Sequence, residues 1–348
     1  MGDDLRIGLV GLGWFGGLHL QTWSGIPNAV VTGVYDADPA RAAGLGAPSA
    51  QDGFHVHTGT EPEPVLDPGT RVFSSLDELL ASGIDVLDVV VPEGSHAECV
   101  RRGLEAGVDV IVEKPLALDP REARELVDLA AERGRNLYVG HILRFDPRQA
   151  LLRGQLEGRE LRHMTLRRLF QPSALEVYGR VHPLDTAMIH DIDLAIWYAG
   201  SRPDRVTAFA SSWHGRAYPD VVDLVLHWDG GLRAVIGNSW HLAGSCPYGF
   251  TFECTIQSEG ATFTARNEPD LHVWDEQGVR VPDLFFWPYH SGARQGALRE
   301  ELQHFADCAR AGLPSDRVPL RDAVRVAEVT AAARRSIESN TTVEVAAC

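Results

Sequence analysis

Long apolar runs are missing from this chain of 348 residues. No stretch approaches the roughly 20 residues that a membrane span needs, so the sequence predicts no transmembrane helix. The polar start, Gly2-Asp3-Asp4, leads straight into a short apolar strand and lacks the pattern of a signal peptide. Cysteine is scarce: Cys99, Cys246, Cys254, Cys308 and Cys348 are all there is. None sits in a C-x-x-C pair, and an odd number fits no disulfide framework. Reduced thiols and a cytoplasmic location are expected. Positive charge is in deficit, with 32 basic against 48 acidic residues and a net charge of -16. Such a surface repels nucleic-acid backbones and anionic lipids, which removes both as main partners. A small anionic ligand stays open, because a site sets its own local field. The fourteen histidines show no H-E-x-x-H and no His/Cys cluster at metal spacing, so no metal is expected. The absence of G-x-S-x-G argues against a serine hydrolase of that class, and no repeat of solenoid period is found.

What is present is ordinary globular composition, 44% hydrophobic and 23% charged, over a length suited to two domains. Short apolar runs alternate with helical patterns in the first part. Strands are read at Arg6–Val10, Val30–Tyr35, Val86–Val91, Val108–Val112 and Leu137–Gly140. Helices are read at Gly13–Ser24, His96–Ala106 and Pro120–Arg133. That order predicts an α/β doubly wound parallel sheet over residues 1–143. After Arg144 the pattern changes to longer β runs at Met164–Leu169, Val206–Ser211, Val221–Trp228, Arg233–Trp240, Phe250–Glu259 and Ala261–Ala265. Helix candidates there are Pro183–Ala199, Ala293–Ala311 and Leu320–Ser336. Residues 144–348 are therefore expected to form an α+β domain with an open, mostly antiparallel sheet. Residues 44–70, rich in Gly, Pro, Asp and Glu, read as a surface insertion near the adenosine end of a bound dinucleotide.

Gly11-Leu12-Gly13-Trp14-Phe15-Gly16 fits G-x-G-x-x-G between a strand and a helix. The first glycine permits the tight turn, the second lets backbone approach a pyrophosphate, and the third lets helix and strand pack closely. The helix N-terminus then turns unpaired N–H groups toward the phosphates. Asp36 ends the second strand, 20 residues after Gly16, where a carboxylate accepts from the adenine ribose 2′-OH and repels a 2′-phosphate. NAD is favoured; Arg41 nearby would tolerate the phosphate of NADP, which keeps that cofactor possible. Read structurally, Asp36 would only open the turn to Pro39.

Glu113-Lys114-Pro115 follows the Val108–Val112 strand directly, and ligands of doubly wound sheets bind beyond strand carboxyl ends. A plain surface ion pair is the competing reading. Gly11–Gly16, Glu113-Lys114-Pro115 and His190-Asp191-Ile192-Asp193 together resemble the Gfo/Idh/MocA oxidoreductases, in that family's order and over nearly the whole chain. Pro92-Glu93-Gly94-Ser95-His96 is similar to the family's proline-to-histidine turn, and Arg144-Phe145-Asp146-Pro147 to its segment at the domain junction. The Asn238-Ser239-Trp240 strand and the Glu300…Phe305 helix also resemble its second domain. The resemblance implies a Rossmann domain followed by an open-faced sheet domain, with substrate between nicotinamide and sheet. It implies that Lys114 contacts the reacting hydroxyl and that His190 is the principal acid or base. Pro92, His96 and Glu113 would accompany Gly11, Gly13, Trp14, Phe15, Gly16, Asp36 and Lys114 around the cofactor.

The chain departs from the family in one place. The family sets an aspartate four residues before this histidine; Thr186 stands there, and Asp185 lies five before. On a regular helix five residues turn about 140°, so Asp185 and His190 would diverge. Either Asp185 assists from a loop or N-cap position, or Thr186 takes the place and the role changes. His141, Arg144, Tyr178 and Thr186 are candidate substrate contacts with Lys114 and His190, and Arg180 and His182 share the Tyr178 loop. Of Arg167 and Arg168 only one can face the site. The expected activity is hydride transfer between nicotinamide and a secondary alcohol or ketone carbon of a sugar or cyclitol. Alternatives are a redox-neutral glycosidase or lyase that recycles bound NAD, and a non-catalytic NAD-binding sensor. The open sheet face is expected to be apolar and covered by a second copy, as a homodimer or homotetramer.

Overall fold

The computed structural model describes residues 4–43, 45, 62–247, 249–267, 271–276 and 278–348. Most of the insertion expected at 44–70 therefore lies outside the described residues. Among the described residues no helix is long and apolar enough to cross a membrane.

The described residues group into two compact units. The first comprises the described residues up to Asp146 together with those of Leu284–Ala323; the second comprises those of Pro147–Asp283 and Val324–Cys348. The sequence reading kept 284–323 with the second domain. The difference has a physical cause. Helix Ala297–Ala311 buries Leu298, Leu302 and Phe305, and the Phe305 ring stacks on Tyr138 at 5.2 Å and meets Phe145 edge-on at 5.6 Å.

The first unit holds a parallel sheet of β1 (Leu5–Val10), β2 (Ala29–Tyr35), β3 (Arg71–Val72), β4 (Val86–Val89), β5 (Asp109–Glu113) and β6 (Leu137–Gly140), in the order β3-β2-β1-β4-β5-β6. All four residues of β4 and of β6 are buried, as strands covered on both faces should be. Helix Pro120–Arg133 shows why its ends were readable. Asp119 caps the Arg121 N–H at 2.7 Å, Pro120 opens the first turn, and Gly134 closes it at φ +61°.

The second unit holds a mixed sheet of β7 (Leu161–Phe170), β8 (Arg205–Ser211), β9 (Val221–His227), β10 (Arg233–Ser239), β11 (Phe250–Ser258) and β12 (Ala261–Arg266), in the order β12-β11-β7-β10-β9-β8. Strand Val343–Glu344 pairs beyond β8, and only the β7–β10 pair is parallel. One face buries Met164, Leu166, Leu224, Ile236 and Ile256. The other face is not the apolar surface expected. It sets Thr165, Arg167, Asp223 and Glu253 among Phe209 and Val235, a mixed polar and apolar surface.

The expected single helix from Pro183 to Ala199 is broken. One turn, Pro183–Thr186, ends at Ala187, and a second helix runs from Met188 to Ala199. The rotation argument that separated Asp185 from His190 assumed one continuous helix, and it does not apply across this break.

Candidate functional site

In the first unit the Gly-rich turn is built by close approach. Gly11 sits at φ +96°, and a Cβ there would lie 2.2 Å from the Val90 carbonyl oxygen. A Cβ on Gly16 would lie 2.0 Å from the Gly11 oxygen, so any side chain would force helix and turn apart. Gly13 meets only the mobile tip of Arg41, 2.8 Å from where its Cβ would be. Helix Trp14–Trp23 begins directly after Gly13, and no side chain caps its start. Bare backbone donors at a helix start behind a glycine cradle fit a dinucleotide pyrophosphate. Trp14 and Phe15 pack edge-on against Trp287 at 5.7 and 5.5 Å, a partner the sequence reading missed.

Asp36 stands just past β2 and is more than the start of a turn. One carboxylate oxygen accepts the Leu12 N–H at 2.7 Å and the other the Asp38 N–H at 2.8 Å. The carboxylate is thereby oriented and also braces the Gly-rich turn. Arg41 lies within reach of the same turn and pairs loosely with Asp38 at 3.8 Å.

His96 is buried, with Nδ1 2.6 Å from the Pro115 oxygen and Nε2 2.9 Å from the Val91 oxygen. Burial depresses its proton affinity below the ordinary histidine range, against the pull of those two carbonyls. The ring thus clamps the segment after β4, which carries Pro92, to the segment after β5. That clamp holds Glu113-Lys114-Pro115, whose Lys114–Pro115 peptide is cis. From Val110 to Ala117 every residue is buried except Lys114, which is half-buried. Lys114 is also the only lysine of the chain; the other 31 basic residues are arginine. That count was available in the sequence and marks the position.

A buried ionic cluster lies behind Glu113. His19 Nδ1 is 2.9 Å from Asp88 Oδ2, the Trp23 indole donates to the same oxygen at 2.7 Å, and His19 Nε2 is 3.6 Å from Glu113 Oε1. His19 and Asp88 are 1% and 0% exposed. Burial alone would strip the His19 proton, but the Asp88 charge and the bonds to Asp88 and Glu113 outweigh it and raise the imidazole to about 10. Gly140 leaves room for Glu113, because a Cβ there would lie 2.7 Å from Oε1.

Arg144, expected as a substrate contact, is 0% exposed. Its guanidinium donates to the Arg317 oxygen at 3.0 Å and to Asp322 Oδ2 at 3.1 Å. It is a buried structural cation in this unit. His141 beside it is also buried.

In the second unit, Pro183 through Ile196 is a run of buried residues with one exception, His190. Its neighbour Asp191 is held by Arg168 through two bonds of 3.1 and 2.9 Å, with both groups buried. This fork anchors helix Met188–Ala199 on β7 and fixes the direction of His190. It also answers the Arg167/Arg168 question. Arg168 points under the helix and is consumed there, and Arg167 points to the open face. Asp185 is buried and ion-paired with Arg334 of helix Leu320–Ser339. Thr186 is likewise buried. His182 caps the short turn by accepting the Leu184 N–H at 3.2 Å. Burial, and then the Arg334 charge, push it down to about 4, so it is neutral at physiological pH. Tyr178 packs in an aromatic cluster 6.4 Å from Phe170 and 6.0 Å from Trp240, and Arg180 donates to the Val177 oxygen at 2.5 Å.

A parallel sheet in Rossmann order with a phosphate cradle, joined in one chain to an open mixed sheet and a helix bearing a part-exposed histidine, defines the class of two-unit nicotinamide oxidoreductases. The chain belongs to the Gfo/Idh/MocA family. The family's oxidoreductase model with NAD-binding Rossmann fold matches residues 5–141, and its C-terminal domain matches residues 182–263. The UDP-N-acetylglucosamine 3-dehydrogenase of Acidithiobacillus ferrooxidans is 30% identical over 226 residues, which is 64% of this chain and 62% of that relative's own length. Inositol 2-dehydrogenase 2 of Paenarthrobacter aurescens is 29% identical over 287 residues, 79% of each chain. The structure of scyllo-inositol dehydrogenase from Lactobacillus casei, solved with NAD(H) and scyllo-inositol bound, shares the fold at a TM-score of 0.78, 18% identity and 99% coverage of both chains.

Proposed function

We propose that this protein is an NAD-dependent dehydrogenase acting on a secondary alcohol of a cyclitol or sugar, with His190 as the acid–base group and Lys114 assisting. One observation carries the reading. Two long buried segments, one in each unit, each leave a single residue accessible, and those residues are Lys114 and His190. A fold that needed these positions only for packing would fill them with apolar side chains. Keeping an ammonium at 114 in a chain that otherwise uses only arginine supports a task the bulkier guanidinium cannot do.

Bound NAD supplies the acceptor for hydride from the alcohol carbon. His190 takes the hydroxyl proton as the carbonyl forms, and returns it in the reverse direction. Lys114 places its positive charge against the oxygen whose negative charge grows in the transition state. The anchored Asp36 carboxylate supports NAD over NADP. The names of the relatives frame the substrate class, one a nucleotide sugar and one an inositol.

The test is NADH formation with NAD, then with NADP, over inositols, free aldoses and UDP-N-acetylglucosamine, for wild type and His190→Gln. The expected result is activity on one of these groups and a kcat lower by about 10²- to 10⁴-fold in the variant. NADH release at the wild-type rate by His190→Gln would overturn the assignment. Tightly bound NAD with no NADH released over the whole panel would favour the redox-neutral reading instead.

A further inference from the structure

Strand β9 pairs antiparallel with both β8 and β10, so the 212–220 loop after β8 lies beside the end of β10. Three side chains from separate stretches meet there: His214 in the loop, Asp220 just before β9, and His241 just past β10. Asp220 is 0% exposed and fully fixed. Its Oδ2 accepts the N–H groups of Trp213 at 2.8 Å and His214 at 2.7 Å. Its own backbone bonds to Ser211 at 3.1 Å and Trp240 at 2.9 Å. Its Oδ1 faces His241 Nε2 at 3.1 Å. The His214 ring stacks on the His241 ring at 4.6 Å and 18°, and makes no hydrogen bond to any described residue.

We propose that His214, Asp220 and His241 form a binding site for one divalent first-row transition ion, of which zinc is the type. One ligand atom from each residue lies within 4.8 Å of the others. A tetrahedral ion with bonds of about 2.0–2.1 Å holds its ligand atoms about 3.3 Å apart. The 3.1 Å between Asp220 Oδ1 and His241 Nε2 already matches that spacing, so an ion there replaces the proton the two now share. His214 is exposed and closes the remaining gap by a side-chain movement of about an ångström. Two imidazoles and one carboxylate select zinc-like ions over magnesium or calcium, and water fills the fourth position. The backbone bonds to Asp220 orient a ligand before any ion arrives.

The ion would act on more than its own ligands. Arg216 in the same loop is ion-paired with Glu176, and the Tyr218 ring lies 5.9 Å from His182. Fixing the loop therefore stiffens the 176–182 segment that carries Tyr178 and leads into the His190 helix.

The test uses untagged full-length protein, stripped with chelator and dialysed against micromolar zinc, with bound metal measured in the presence and absence of excess magnesium. One zinc per chain, undisturbed by magnesium, is expected. His214→Gln removes no hydrogen bond, so it stays folded and weakens zinc binding at least about tenfold. Combining it with His241→Gln abolishes retention. Cobalt substitution gives visible d–d bands without a thiolate charge-transfer band, which excludes the five cysteines as ligands. The proposal fails if wild type retains no zinc, if the double variant binds as wild type does, or if cobalt shows thiolate ligation.

Discussion

Replacing Asp88 by Asn tests the most unusual packing decision in the first unit. The Asp88 carboxylate sits in the middle of β4 with no exposed surface, and it takes hydrogen bonds from His19 at 2.9 Å and Trp23 at 2.7 Å. Asp88→Asn keeps the shape and removes the charge. The His19 imidazolium is left with Glu113 alone, at 3.6 Å. Removing one partner of a buried ion pair costs about 3–5 kcal/mol, which corresponds to a fall of about 1–2 M in a urea midpoint.

The pH dependence carries a second signature. His19 is raised in the folded state from 6.5 to about 10. A raised histidine contributes stability that is fully present below its unfolded value and is lost as pH climbs through the folded one. The wild type should therefore weaken between pH 6.5 and about 10. Asp88→Asn removes the largest charge that favours the proton, so this slope should flatten. Urea titrations at pH 6, 8 and 9.5 read both effects. The two units need separate bookkeeping, and the relevant transition is the one that added NAD moves upward. An unchanged midpoint, or the same slope in the variant, refutes the account of His19 as a buried cation.

Asp36→Ser should weaken NAD binding more than NADP binding, and both to some degree, because the same carboxylate braces the Leu12 N–H; fluorescence titration with each cofactor checks it. Lys114→Arg should lower kcat while the chain remains folded, since a planar fork does not replace a point charge; steady-state kinetics with a thermal melt separate the two. Arg144→Met should lower stability by up to about 3–5 kcal/mol through loss of the buried Arg144–Asp322 pair and leave KM unmoved, which distinguishes a buried strut from a substrate contact. Asp185→Asn should shift the pH profile of kcat if Asp185 assists His190; an unchanged profile would leave it as the partner of Arg334 alone.

Much of the first unit was legible because parallel strands buried on both faces are continuous apolar runs, and because glycine spacing records where backbone must approach backbone. Helix Pro120–Arg133 could be bounded to the residue, since its cap, its proline and its left-handed glycine are all local signals. Strand β3 could not be found, because two exposed residues at a sheet edge carry no periodicity. The break at Ala187 was hidden for another reason. Thr186, Ala187 and Met188 are all buried, and no Gly or Pro marks the interruption.

The long-range pairs were illegible in principle. His19 and Asp88 are 69 residues apart, and Arg334 and Asp185 are 149 apart. A motif is recognised by spacing, whereas these pairs exist only after the chain has folded. What the sequence did carry was the anomaly in each case. Asp88 is a charge inside an apolar run, Lys114 is a lone lysine, and Thr186 stands where the family sets an acid. A buried acid implies a donor somewhere, because an unpaired carboxylate in a dry core would cost more than the fold can spare. Here the donors are His19 for Asp88 and Arg168 for Asp191, and the second of them holds in place the helix that bears His190. The inference from anomaly to partner is general, and it locates supporting residues that no motif search can reach.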